Sequence, residues 1–287
     1  MIAIMKREFK SYLHNVSGFI FIAFLLLFTG FFTAATNLFS GYASFAYSLQ
    51  NVVIIFLLIV PLLTMRAIAE DKHNRTDQLL YSLPVSMTSV VIAKYLAMVL
   101  IFAIPMAIIT AYPTILSIFG IMHYASAYNA IFGLFLLGCA LIAICTFVSS
   151  LTESQIISAV VSFGVLLACY LMSGFAAMIP QTAIASFLCM IALSAVLALI
   201  VYGLTKNFNV AVIVASVCVI PLCLLYMVKA SLFSGLFPAL ISYLAVFDRF
   251  YTFVYGIFDV TAVVYYLTVI VFFLFLTVQV MEKKRWS

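Results

Sequence analysis

Charge is what this chain has least of: Asp, Glu, Lys and Arg make up 7% of its 287 residues, against roughly 25% in an ordinary soluble domain. A soluble protein of this length needs a polar surface to stay dispersed, and the shortage excludes one. Catalytic signatures are missing as well. No GxxxxGK[ST] phosphate loop, HExxH, GxSxG or pair of carboxylates inside an apolar run occurs. The cysteines Cys139, Cys145, Cys169, Cys189, Cys218 and Cys223 lack metal-type CxxC or CxxH spacing and all lie in apolar runs, so they are expected as buried thiols at helix interfaces. His14, His73 and His123 stand at the edges of such runs, where solvated or headgroup-facing roles are expected. The net charge of +5 is concentrated at segment ends and points to membrane orientation, with no nucleic-acid partner expected.

What remains is 68% hydrophobic, with a mean hydropathy of +1.33. That composition describes an all-α polytopic membrane protein, one membrane domain over residues 1–287 with no repeat and no soluble linker. Crossing the hydrocarbon takes about 20 helical residues, and a charge at its centre costs roughly 2.5–3.5 kcal/mol on insertion scales. Runs free of charge, apart from Lys94 near the start of the third, therefore mark about eight spans: Phe19 to Asn37, Asn51 to Met65, Val90 to Tyr112, Tyr128 to Ser149, Ile156 to Ala176, Ala183 to Gly203, Val210 to Val228 and Thr261 to Val280. The second is expected to begin earlier than Asn51, since no charge occurs between Tyr42 and Met65. Pro105 and Pro113 predict a kink and then an exit from the third, and Pro61 and Pro221 bends in their own helices.

Three segments fall outside this pattern. Residues 1–15 set Ile2, Met5, Phe9 and Leu13 on one helical face and Lys6, Lys10 and His14 on another, with Arg7 beside them, predicting an amphipathic helix at the membrane interface. Residues 66–89 gather Arg66, Glu70, Asp71, Lys72, Arg75 and Asp77 into a polar loop. Within it Thr76 can cap a short helix, Asp77 suits its first turn, Leu79, Leu80 and Leu83 give an apolar face, and Pro84 ends it. Such a helix fits either a partner's groove or the bilayer surface. Residues 229–260 are apolar but broken by Ser231, Ser234, Gly235, Pro238, Asp248, Arg249 and Gly256, which predicts a re-entrant pair of short helices on the outer side. With an even span count and both termini cytosolic, Lys229 and Arg249 are the outside exceptions among the 13 Lys and Arg, as the positive-inside rule requires.

No expected span interior carries Asp, Glu or His, the usual relay groups of proton-coupled carriers. Active transport by this chain would draw its energy from a separate protein.

The run Glu70-Asp71-Lys72-His73-Asn74-Arg75-Thr76-Asp77-Gln78-Leu79-Leu80-Tyr81-Ser82-Leu83-Pro84-Val85-Ser86, followed by Ala93-Lys94-Tyr95-Leu96-Ala97, resembles the first cytosolic loop of ABC-2-type permeases, the membrane subunits of ATP-binding-cassette exporters, on the side of the gliding-motility-type branch. Phe9-Lys10-Ser11-Tyr12-Leu13 before Gly18-Phe19-Ile20 is similar to the family's leading helix and first span, and Gly256-Ile257-Phe258-Asp259-Val260 with Glu282-Lys283-Lys284-Arg285-Trp286 to that branch's closing segment. Arg75 stands where many members have Gly. The resemblance implies an ATP-driven exporter in a bacterial cytoplasmic membrane whose chain has no catalytic residues, metal or cofactor, MgATP being bound by a partner ATPase. It implies ATPase coupling through Glu70, Asp71, Thr76, Asp77, Gln78, Leu79, Leu80 and Pro84, with Lys6, Arg7, Phe9 and Lys10 on an interfacial helix against membrane lipid. It also implies a homodimer or a heterodimer with a related permease, and is compatible with an extracytoplasmic auxiliary subunit. The family core has six spans, so the pair Ala183 to Gly203 and Val210 to Val228 is expected to be additional. The turn Ser149 to Ser154 is a second candidate ATPase contact, and Ser154, Ser158 and Ser162 form a small-residue seam open to subunit pairing or internal packing, with the resemblance favouring pairing. An ATPase-independent carrier or channel, a membrane-embedded lipid-modifying enzyme using Asp248 or Asp259, and a membrane anchor or assembly factor without transport are the rival readings.

Overall fold

A computed structural model of the chain describes residues 1–42, 44–74, 86–205 and 208–286. The described residues form helices and no strand, as expected for backbone that must satisfy its own amides in hydrocarbon. In chain order the α-helices are α1 Ile2–His14, α2 Val16–Thr33, α3 Phe45–Val52, α4 Phe56–Thr64, α5 Ala69–His73, α6 Met87–Ile109, α7 Tyr112–Leu116, α8 Tyr124–Leu151, α9 Gln155–Met178, α10 Ala183–Thr205, α11 Phe208–Val228, α12 Leu236–Leu244, α13 Asp248–Val254 and α14 Val260–Trp286. Among the described residues seven helices are long and apolar enough to cross a membrane, or eight if the bent pair Ala215–Val228 and Ala230–Leu244 counts as one. The chain is therefore a multi-pass membrane protein.

Two compact units are present, Met1–Ala168 with Val246–Ser287, and Cys169–Ala245. In the first, α8 is the enclosed element: most of its residues are buried, and α3, α4, α6, α13 and α14 all pack on it. Phe102 of α6 marks the middle of this packing. Its ring stacks on Phe135 of α8 at 5.6 Å and meets the edges of Phe21 from α2 and Phe56 from α4 at 6.2 and 5.8 Å. Gly138 makes the approach of α6 possible, since a Cβ there would stand 2.4 Å from the Phe102 ring. Gly133 does the same for Phe253 of α13, at 2.6 Å. These small residues act as expected where lipid supplies no hydrophobic drive for helices to associate and close packing must.

The second span starts at Phe45, earlier than Asn51, and a 3-10 turn at Val53–Ile55 separates its two helices. Pro61 lies inside α4 and Pro105 inside α6, while Pro113 falls in the first turn of α7, a position whose missing N–H costs nothing.

In the second unit α10 packs along α11. Phe187 stacks on Tyr226 at 4.4 Å, and the edge of Phe233 meets both rings. Beyond Val228 the chain turns through 118° into a 3-10 segment, Ala230–Phe233, and then α12, with Gly235 in the left-handed region at φ +70. The expectation that all six cysteines are buried needs correcting: Cys139 and Cys145 are, but Cys169, Cys189, Cys218 and Cys223 are half-exposed, because their helices cover less of their surface within the chain.

Candidate functional site

The first unit has a charged end, where α1, residues 66–74, the start of α6 and the end of α8 converge. Local chemistry places each. Ser86 caps α6, its hydroxyl accepting from the Ser89 amide at 3.4 Å, which gives the Pro-Val-Ser motif a physical meaning as a helix start. Two turns later Lys94 is buried against the bundle, its side chain only 4% exposed. α1 packs along α6 and α2. Its inner face carries Tyr12, buried, with Met5, Glu8, Phe9 and Leu13 half-buried, while Lys6, Arg7, Lys10 and His14 are exposed. Ile2, expected on the apolar face, is 72% exposed. Gly18 permits the tight turn into α2, since a Cβ there would stand 2.3 Å from the Tyr12 carbonyl oxygen.

Lys94 is the electrostatic centre of this end. Its ammonium lies 2.7 Å from Asp71 Oδ2 of α5 and 3.4 Å from Glu8 Oε1 of α1. The two carboxylates are 20% and 14% exposed. Glu8 also takes the exposed Arg7 guanidinium at 3.0 Å, a contact worth little in water. Tyr12 senses the same cluster: burial first, then the charges of Glu8 and Glu70, hold its phenol well above the ordinary value, with Arg66 opposing.

A second set of bonds ties the 66–74 segment to α8. The Ser149 hydroxyl accepts from the amides of Ile68 and Ala69 at 3.2 and 3.1 Å, and Lys72, itself buried, donates to the Ser150 carbonyl. Helix C-terminal carbonyls lack partners within their own helix and favour cations, so a lysine at this position suits α8. Residues 66–74 are thus held on one side by α6 and on the other by α8.

Of the residues expected to couple to an ATPase, Glu70 is half-buried on α5, and Asp71 is turned to Lys94. Thr76, Asp77, Gln78, Leu79, Leu80 and Pro84 lie outside the described residues. Phe9 is on the inward side of α1, apart from the exposed Lys6, Arg7 and Lys10. The sequence alone did not pair Glu8 with Lys94, nor set Ser149 and Ser150 against residues 68–72. The available signal was a carboxylate at the border of the apolar face of an amphipathic helix and a lysine inside an otherwise apolar run.

The remaining candidates lie apart from this cluster. Along α9, Ser158 and Ser162 are buried and their hydroxyls make no hydrogen bond among the described residues, while Ser154 is half-buried. Glu153 in the turn after α8 is exposed, with Lys284 at 3.7 Å. Asp259 caps α14, accepting from the Thr261 hydroxyl at 2.6 Å and amide at 2.8 Å, and the hydroxyl bond is the main cause that holds its carboxyl below the ordinary range.

Residues 33–228 match the protein-family model described as ABC-2 family transporter protein. No curated protein and no solved structure matches the chain.

Proposed function

The chain belongs to the ABC-2 transporter family, as a membrane permease component of an ABC transporter, and from that premise we propose that it is the permease subunit of an ATP-driven exporter. ATP is hydrolysed by a separate cytosolic ATPase, which holds the MgATP, and this chain contributes no catalytic residue. The subunit sits in a bacterial cytoplasmic membrane with both termini in the cytosol, residues 229–260 re-entrant from the outer side, and its pathway shared with a second copy or a related permease. The exposed Lys6, Arg7 and Lys10 of α1 face anionic headgroups.

The observation that carries this reading is the anchoring of residues 66–74. A loop used as a lever must be stiff where it joins the helices it moves, and this one enters residues 75–85 from a segment bonded to α6 through Asp71, and to α8 through Ser149 and Lys72. Closure of the ATPase pair would push on Glu70 to Pro84. That push reaches α6 and α8 directly, and both pack in the core of the first unit. Two states of this element, with different contacts to the ATPase in each, are sufficient to open and close a route.

Co-purification with the ATPase subunit tests it. Leu79→Asp combined with Leu80→Asp replaces two leucines of the Thr76 to Pro84 stretch with charges, and ATPase recovery is expected to fall at least ten-fold while the permease stays in the membrane. Undiminished recovery would sink the docking assignment.

A further inference from the structure

One ammonium serves two carboxylates at the charged end, and they come from elements far apart in the chain. Glu8 belongs to α1, Asp71 to the segment that precedes residues 75–85, and Lys94 to α6. The lysine is the least solvated of the three, at 4% exposed against 14% for Glu8 and 20% for Asp71. A buried ion pair is weak evidence for net stability, because desolvation offsets most of the attraction, but a buried charge left with no counter-ion is strongly unfavourable. The consequence depends on which element leaves. While Asp71 stays in place, α1 can lift away and Lys94 remains neutralised. While Glu8 stays in place, the 66–74 segment can move and Lys94 again remains neutralised. If both leave together, the ammonium is stranded in a site too dry to hold it.

We infer that Lys94 is a positioning residue that makes the release of α1 and the release of the 66–74 segment mutually exclusive, through a single charge shared by Glu8 and Asp71. Regarding the second release as part of ATPase coupling rests on the exporter reading above. On that reading, a push that pulls Asp71 off Lys94 fastens α1 more firmly to α6. The amphipathic helix then moves with α6 and its membrane-facing surface, so displacement of the loop is carried to the bilayer interface. In this structure Asp71 at 2.7 Å is the closer partner of Lys94 and Glu8 at 3.4 Å the more distant.

The sign separates this from an ordinary structural salt bridge. If the three residues merely brace one another, Asp71→Asn loosens α1 or leaves it unchanged. If they share one charge, Asp71→Asn makes Glu8 the remaining carboxylate on Lys94, and α1 tightens. Deuterium uptake by the backbone amides of α1 and of residues 69–74, read by mass spectrometry on the full chain in lipid nanodiscs, reports both. Expected is slower exchange of α1 in Asp71→Asn and slower exchange of residues 69–74 in Glu8→Gln, each by about five-fold or more, the reciprocity that linkage demands. Faster or unchanged exchange in the element opposite the substitution overturns the proposal. Both substitutions replace partly solvated groups with near-isosteres, so the chain is expected to fold in each case. In a Lys94→Met background the effect of Asp71→Asn on α1 should vanish, and its persistence there is a second way to overturn the inference. The measurement uses the permease chain alone. Failure of the wild-type chain to recover an ATPase would count against the exporter reading and leave these outcomes as they stand.

Discussion

Glycine positions set the closest approaches in the first unit, and two of them yield direct tests. A Cβ at Gly18 would stand 2.3 Å from the carbonyl oxygen of Tyr12, a backbone atom that cannot turn aside. Gly18→Ala is expected to pry α1 from the start of α2, seen as faster proteolysis within residues 1–15 in membranes. At Gly138 the obstacle is the Phe102 ring, at 2.4 Å, which is itself fixed by three other rings. Gly138→Ala overpacks this site and should cost about 1–3 kcal/mol, measurable as a lower midpoint in thermal unfolding in detergent. The sequence displayed both glycines but not their neighbours. A glycine inside an apolar helix has the same local appearance whether it meets lipid, as open space around Gly164 and Gly174 allows, or an aromatic ring.

Between elements, the strongest local device is the junction of α8 with the start of α5. Ser149 is one hydroxyl accepting from two consecutive amides, and both Ser149 and the amide-bearing residues Ile68 and Ala69 are buried. Ser149→Ala leaves those donors without that acceptor, and a loss of about 1–3 kcal/mol is expected, with faster amide exchange confined first to residues 67–73. If exchange there is unchanged, the junction contributes little to holding the segment. Five threonine hydroxyls in the apolar helices have a simpler explanation. Thr29, Thr33, Thr64, Thr146 and Thr277 each donate to the carbonyl four residues earlier and so need no partner from another helix. α1 shows how far element-level reading reaches. Its amphipathic character and its exposed Lys6, Arg7 and Lys10 follow from periodicity, yet Glu8, on the boundary between the faces, is drawn inward by a lysine that lies 86 residues further along the chain.

For the molecule as a whole, the topology proposed above has both termini on the cytosolic side, and a reporter fused after Ser287 checks it. A phosphatase that works only outside the cytoplasm should stay inactive there, whereas a cytoplasmic fluorescent protein should mature. The opposite pattern would add a crossing in residues 229–260. The apolar runs read from sequence coincide in kind and order with the helices found, because a charge-free run of about 20 residues has few alternatives to a helix in hydrocarbon. Their ends shift by several residues, as at Phe45, where no charge marks the boundary.

The chain's own composition and motifs determined that it is helical, crosses the membrane many times, and has a polar stretch of sequence at residues 66–89 resembling one in ABC-2-type permeases, since hydropathy, helix caps and local motifs are properties of neighbouring residues. Which of its few charges meet was decided only by the tertiary structure. Glu8, Asp71 and Lys94 are brought together by the packing of α1 on α6 and the return of the chain after α4, and Ser149 reaches the amides of residues 68 and 69 because α8 ends beside them. Charge pairing in a dry site depends on distance and burial, and neither exists until the helices have packed.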